Sequence, residues 1–511
     1  MLVKIKSFAL QGLDPVPIDV EVDITQRGLP SFAIVGLPDV AVQESRERVR
    51  SALKNNGFQF PTHRITVNLA PADIRKEGAC FDLPIAIGLL IASNQIPPLL
   101  SESCFFVGEL SLDGSLREVN GILSMNCYLH DMMQISSQNS PPLFCFPDNN
   151  IGEIVYTDIS LLPCSSLQSV IDAFQTKKYS ATIPTVQFAP ATQNSDDMKE
   201  IIGQSFAKRA MEVAASGMHN VLFVGPPGTG KTMLARRIPS ILPLLTFDES
   251  VEVSRIYSSA GLLSKKGGLI QKRPFRSPHH SSSLSSMTGG GSKPKPGEIS
   301  YAHRGVLFLD EFPEFQRNVI HALRQPLEDG FITISRVHST VKWPSRCMLV
   351  AAMNPCPCGY YGDSQKNCIC TPSQIHKYQA KIRGPILDRI DIVSEVLRVD
   401  PKKLLKMEVA ESSSDIRERV EKCHKIQKKR YENELFHYNS EMNSRTLRKF
   451  CMLDSEAESF FAEVSGKLFL SGRGHMKMLK IARTIADMRE SSSIQMEDIC
   501  EALQYRLRTD V

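Results

Sequence analysis

The sequence predicts an α/β chain in three parts: a mixed α and β N-terminal region, a parallel α/β core, and a helical C-terminal region. Three observations predict it. Before residue 180, alternating polar and apolar runs are interrupted by a helix-spaced segment. From 198 to about 395, strand-like and helix-like segments alternate around a glycine-rich turn, the pattern of a parallel sheet. Beyond Pro401 the chain is polar and helical, with no strong strand.

At 511 residues the chain exceeds one ordinary core, and its length suggests about three domains. In the first, MLVKIKSFAL, PIDVEVDIT (Pro17 to Thr25) and HRITVNLA (His63 to Ala70) read as half-buried strands. Between them DVAVQESRERVRSALKNNG has helical spacing, with Val42, Val49 and Leu53 on one side and Gly57 as a stop. Asp113-Gly114 inside LSLDGSLREVNG signals a hairpin. Residues 181–197 contain Pro184 and Pro190 without periodicity and read as a linker. The parts are therefore drawn as 1–180, linker 181–197, core 198–398 and helical region 399–511.

Apolar content of 42% and charged content of 23% are those of a soluble globular protein. No secretory signal is expected at the N-terminus. The longest apolar run, Leu83 to Ala92, contains Pro84 and Gly88 and is too short to cross a bilayer. Thirteen mostly scattered cysteines favour a reducing cytoplasm over a disulfide framework. Net charge is +5, yet residues 255–304 hold nine Lys/Arg against one acid, Glu298. That excess reads either as a surface facing a polyanion or as a solvated loop.

Chemistry is legible first at Gly225-Pro226-Pro227-Gly228-Thr229-Gly230-Lys231-Thr232, which fits GxxxxGK[ST] between a strand, VLFV, and a helix, MLARRIPSIL. Glycines let successive backbone N–H groups converge on phosphate oxygens at a helix N-terminus. Lys231 is the candidate to neutralise β/γ-phosphates, and the Thr232 hydroxyl to hold Mg²⁺. GVLFLDEFPEF supplies a buried strand ending in Asp310, a candidate Mg²⁺ partner, and Glu311, a candidate to polarise the attacking water. A third strand, CMLVAAMN, ends at Asn354, whose amide is placed to orient that water. ATP and Mg²⁺ are thus the expected ligands. Cys356, Cys358, Cys368 and Cys370 form two Cys-x-Cys pairs; four thiolates can close a tetrahedral Zn²⁺ site, and free thiols are the alternative.

The stretches AKRAMEVAASGMHNVLFVGPPGTGKTMLARRIPSILP, RSPHHSSSLSSMTGGGSKPKPGEISYAHRGVLFLDEFPEF, VAAMNPCPCGYYGD and GPILDRIDI, with KEGACFDLPIA and RTIADM, resemble the ComM/YifB proteins. These are AAA+ ATPases related to the magnesium chelatase ChlI subunit. The resemblance implies a homo-hexameric ring with ATP between subunits, Arg389 as an arginine finger reaching the neighbour's γ-phosphate, and Arg473 as a second sensor on the C-terminal helical lid, with Arg483 competing for that role. It implies ATP-driven DNA translocation, namely branch migration that extends incoming DNA in natural transformation, on branched or single-stranded DNA and with recombination proteins as partners. LEDGFITISRVHSTVKWPSRCMLV resembles this clade's pore hairpin, making Arg336, His338 and Lys342 candidates for DNA phosphate contact. A second insertion, around GGGSKPKPGE, would face the same pore or a neighbouring subunit.

The N-terminal part resembles a Lon-protease-like (ribosomal S5 domain 2-like) α+β domain. A Lon-type dyad needs Ser and Lys, where this chain has Cys80 and, near GILSM, Leu123. The expected role is a non-catalytic scaffold. A chelatase-type protein-remodelling chaperone and a Lon-like protease remain the alternative functions.

Overall fold

In LVKIKSFALQ and DPVPIDVEVDIT the alternating side chains put one face into a core, and the two stretches pair as antiparallel strands β1 (Leu2–Gln11) and β2 (Asp14–Thr25). A computed structural model describes residues 2–25, 29–98, 104–135, 141–176, 196–263, 268–291, 294–336, 339–382, 384, 386–399 and 410–506. The chain divides into two units: 1–189 with 247–270 and 333–343, and 190–246 with 271–332 and 344–511.

In the first unit β3 (Ser31–Val35), β4 (Arg64–Ala70), β5 (Cys104–Phe106), β8 (Leu143–Pro147) and β9 (Ser160–Cys164) join β1 and β2 in a seven-stranded sheet of order β3-β4-β2-β1-β5-β8-β9. β6 (Glu109–Leu110) and β7 (Leu116–Arg117) flank the Asp-Gly turn as a hairpin. The longest apolar run forms the helix Asp82–Ala92, every residue of which is buried. Gly88 lets it lie on β2, since a Cβ there would stand 2.6 Å from Val22 Cγ2. No described helix is long and apolar enough to cross a membrane.

Two segments that lie inside 198–398 in sequence return to this unit. The helix Phe247–Ser259 and the residues up to Ile270 bury Val251 and Leu269 against Leu123 and Cys127. Arg255 donates to the Leu13 carbonyl, and Ser258 to Glu153. The other segment holds most of a two-stranded hairpin, β15 (Phe331–Arg336) and β16 (Ser339–Pro344). Its Val341 presses on Gly12, where a Cβ would stand 2.5 Å from Val341 Cγ1 and where φ is +69°. The boundary near 180 therefore marks where the chain first leaves the unit; apolar contacts at Gly12 and Leu123 bring it back.

The second unit is built on a five-stranded parallel sheet: β10 (Val221–Val224), β11 (Phe275–Arg276), β14 (Val306–Leu309), β17 (Met348–Met353) and β18 (Ile392–Glu395), in the order β11-β14-β17-β10-β18. β10, β14 and β17 are near-continuous apolar runs because both faces are covered. A short hairpin, β12 (Gly289–Gly290) with β13 (Lys295–Pro296), interrupts the connection from β11 to β14. The C-terminal helices Ser413–Arg430, Gly472–Met488 and Met496–Gln504 share this core, which runs without a break from Val221 and Phe223 to Ile481, Ile485 and Ile499.

Candidate nucleotide site

Parallel strands put all their C-terminal ends at one sheet edge, and ligands of such sheets bind there. The register Val224↔Met353 and Leu309↔Ala351 brings the turn after β10, Asp310 after β14 and Asn354 after β17 to that edge. Gly228 and Gly230 have φ of +79° and +92°, and a Cβ on either would meet nothing within 4 Å. Backbone conformation, not crowding, requires glycine there, and the space above is free for phosphate. Lys231 is only 8% exposed and donates to the carbonyls of Gly225 (2.7 Å) and Pro226 (2.9 Å) and to Asn354 Oδ1 (3.1 Å). Burial pushes its ammonium down to about 8, against the pull of Asp310 and Glu311. Thr232 donates to Asp310 Oδ2 at 2.7 Å, so hydroxyl and carboxylate already stand where one Mg²⁺ would be shared.

Glu311 follows in a left-handed conformation, φ +50°, with its side chain 58% exposed. Its Oε2 lies 3.4 Å from His280 Nδ1, and the His280 ring packs at a tilt of 35° against His279. Sequence reasoning does not single out His280. The signal available is the pair of histidines just after β11, the strand beside β14. Gln204 is likewise missed: it donates to the Thr229 carbonyl (3.2 Å) and the Leu397 carbonyl (2.6 Å), bracing the phosphate loop.

Arg389 stands at the other end of the sheet. It lies three residues before Ile392, the first residue of β18, which pairs with the first residue of β10. Its carbonyl accepts from Asn220, the residue before β10. Four residues of strand, about 13 Å, separate this end from the phosphate loop. Arg389 pairs with Glu328, and Arg473 lies beside it, 3.8 Å from Glu328 and 3.1 Å from Asp388 Oδ2. Ser471 caps the helix that carries Arg473. Arg389, Arg473 and Lys477 line one cavity of about 550 Å³. The competing candidate, Arg483, is fully enclosed: it pairs with Asp487 and donates to the Ser491 and Ser492 carbonyls, so its guanidinium is engaged inside the C-terminal helices.

Of the nucleic-acid candidates, Lys342 is an exposed position on β16 between buried Val341 and Trp343. Arg336 ends β15, and His338 lies outside the described residues. The basic window from 255 to 304 is only partly a surface. Arg273 and Arg304 are buried, Arg273 donating to the Pro243 and Arg304 carbonyls, and Arg276 forms a two-point pair with Glu298. In the first unit, burial pushes the Cys80 thiol up to about 12, and Leu123 is fully buried with no atom able to take its proton.

The four clustered cysteines do converge. Their sulfurs all lie within 4.8 Å of one another, with 3.4 Å from Cys356 to Cys358, 3.7 Å from Cys356 to Cys368 and 3.6 Å from Cys358 to Cys368. Backbone N–H groups of Tyr361, Cys358 and Cys370 point at the sulfurs of Cys356, Cys370 and Cys368. Amides aimed at Cys358 hold its thiol down at about 6.

Known proteins are similar to this chain in sequence. A family described as "Magnesium chelatase, subunit ChlI" matches residues 197–404, "Subunit ChlI of Mg-chelatase" matches 20–135, and "Magnesium chelatase, subunit ChlI C-terminal" matches 410–506. The "Uncharacterized protein YifB" of Escherichia coli is 42% identical over 499 residues, 98% of this chain and 96% of that protein. "Competence protein ComM" of Haemophilus influenzae is 41% identical over 508 residues, again 98% and 96%. "Magnesium-chelatase subunit ChlI" of Pyropia yezoensis is 23% identical over 344 residues, 61% of this chain and 88% of that protein. With its phosphate loop, acidic strand end and matched length, the chain belongs to the ComM/YifB family of magnesium-chelatase-like proteins.

Proposed function

We propose that the protein is a homo-hexameric AAA+ ATPase that drives DNA through its ring, promoting branch migration and heteroduplex extension during recombination of incoming DNA. The observation that carries the ring is the position of Arg389. It sits at the sheet end opposite the phosphate loop, beside Arg473, so neither guanidinium serves the nucleotide of its own chain. A second subunit, presenting that end to the first one's phosphate loop, supplies both. Lys231 and the loop amides hold the triphosphate, and Thr232 and Asp310 hold Mg²⁺, which screens the phosphate charge. Glu311 takes a proton from the attacking water, Asn354 orients it, and the incoming arginines stabilise charge on the transferred group.

The kinship to a competence protein supports DNA as the partner, with Arg336, His338 and Lys342 as contacts, acting in the cytoplasm alongside a recombinase. Kinship to chelatase subunits supports the second reading, a protein-remodelling chaperone. A Lon-like protease is disfavoured by the high pKa of Cys80 and by Leu123, and the N-terminal unit serves as scaffold. Strand displacement from a four-way junction separates these readings. The wild type should displace strands with ATP, and Glu311→Gln should bind nucleotide without displacement. Robust hydrolysis by the wild type with no displacement would favour the chaperone.

A further inference from the structure

The loop from Cys356 to Cys370 has almost no regular structure, and Ile369 is 85% exposed, so apolar burial does not hold it. Its sulfurs do. Tetrahedral Zn–S bonds of about 2.3 Å place ligand sulfurs about 3.8 Å apart. The separations of 3.4, 3.6 and 3.7 Å approach that spacing and are far beyond a disulfide of about 2.05 Å. An all-sulfur tetrahedral set suits Zn²⁺ and rejects hard cations such as Mg²⁺.

The same loop leans on the nucleotide site from two sides. Gly359 packs on the phosphate loop so closely that a Cβ would stand 2.7 Å from Pro227 Cδ. Across the loop, Asp363 pairs with Arg398 at 2.8 Å, and Arg398 lies over the Tyr360 ring. The neighbouring Leu397 carbonyl takes one N–H bond from Gln204, which also reaches the Thr229 carbonyl. Asn354, bonded to Lys231, is two residues from Cys356. Pro227, Thr229 and Lys231 are thus all tied to a segment that four thiolates close.

We propose that Cys356, Cys358, Cys368 and Cys370 bind one Zn²⁺, and that this zinc knot braces the phosphate loop, so that nucleotide affinity depends on the metal. The brace rests on the nucleotide-binding reading; the metal site does not. Full-length protein should release one zinc per chain on treatment with a mercurial, as counted by a colorimetric chelator. Stripped protein should bind a fluorescent ADP analogue about tenfold more weakly or worse. Added Zn²⁺, but not Mg²⁺, should restore the affinity. Gly359→Val, which keeps all four ligands but pushes on Pro227, should retain its zinc and lose affinity to a similar extent, and it decides the matter if stripping unfolds the chain. Four thiols that titrate freely in untreated protein, with no zinc released, would overturn the site. Zinc present with nucleotide affinity unchanged in both stripped protein and Gly359→Val would overturn the brace. Failure of zinc-loaded protein to bind nucleotide would overturn the ATPase reading and the brace together, leaving the zinc count standing.

Discussion

Raising the pH from 7 to 9 should weaken nucleotide binding about tenfold, and Lys231 is the reason. Its pKa stands near 8, against an ordinary 10.5, because burial takes the ammonium out of water. The displacement corresponds to about 3 kcal/mol against the charged form. At pH 7 roughly nine in ten free subunits carry the charge that meets phosphate; at pH 9 roughly one in ten does. Bound phosphate draws the pKa back up, so binding at pH 9 must take up a proton. Titration calorimetry in two buffers of different protonation enthalpy measures that uptake: near zero at pH 7 and about 0.9 proton per site at pH 9. The nucleotide's own last phosphate proton is lost below this range, near pH 6. Stability of the free protein runs the other way. Between about pH 8 and 10.5 the unfolded chain binds more protons at this lysine than the folded one, so its contribution to stability rises with pH. Equal affinity at pH 7 and 9 with no proton uptake would refute the reasoning.

Arg473 and Arg483, on one C-terminal helix, should fail differently. Arg483→Ala removes a buried partner of Asp487 and should cost about 3 kcal/mol, read as a lowered Tm, whereas the half-exposed Arg473→Ala should leave Tm nearly unchanged and lower ATP turnover. Lys342→Glu should keep basal hydrolysis but weaken DNA binding and reduce the salt dependence of log K by about one, as measured by fluorescence anisotropy across a salt series.

The strand–loop–helix at Gly225 to Thr232, the strand ending in Asp310 and the strand ending in Asn354 were legible because each is local. A short apolar run fixes a buried strand, and the polar residues at its end follow. Where Arg389 lies was not legible, because it depends on β18 running parallel to β10 and on the helix Gly472–Met488 bringing Arg473 to the same end. Charge counting leaves the window at 255–304 open between a polyanion-facing surface and a solvated loop, because it cannot see that Arg273 and Arg304 are inside or that Arg276 is matched to Glu298. The return of 333–343 to the first unit depends on a fit between Val341 and Gly12, more than three hundred residues apart in sequence, which no periodicity reports.

Mixing two inactive variants tests the composite site most directly. Arg389→Ala keeps its phosphate loop, and Lys231→Ala keeps its arginines, so each alone should hydrolyse little ATP. If Arg389 acts on the neighbouring subunit, random co-assembly at equal amounts rebuilds one site in four and restores about a quarter of wild-type turnover per chain. A mixture as inactive as its components, or Arg389→Ala active by itself, would contradict the account.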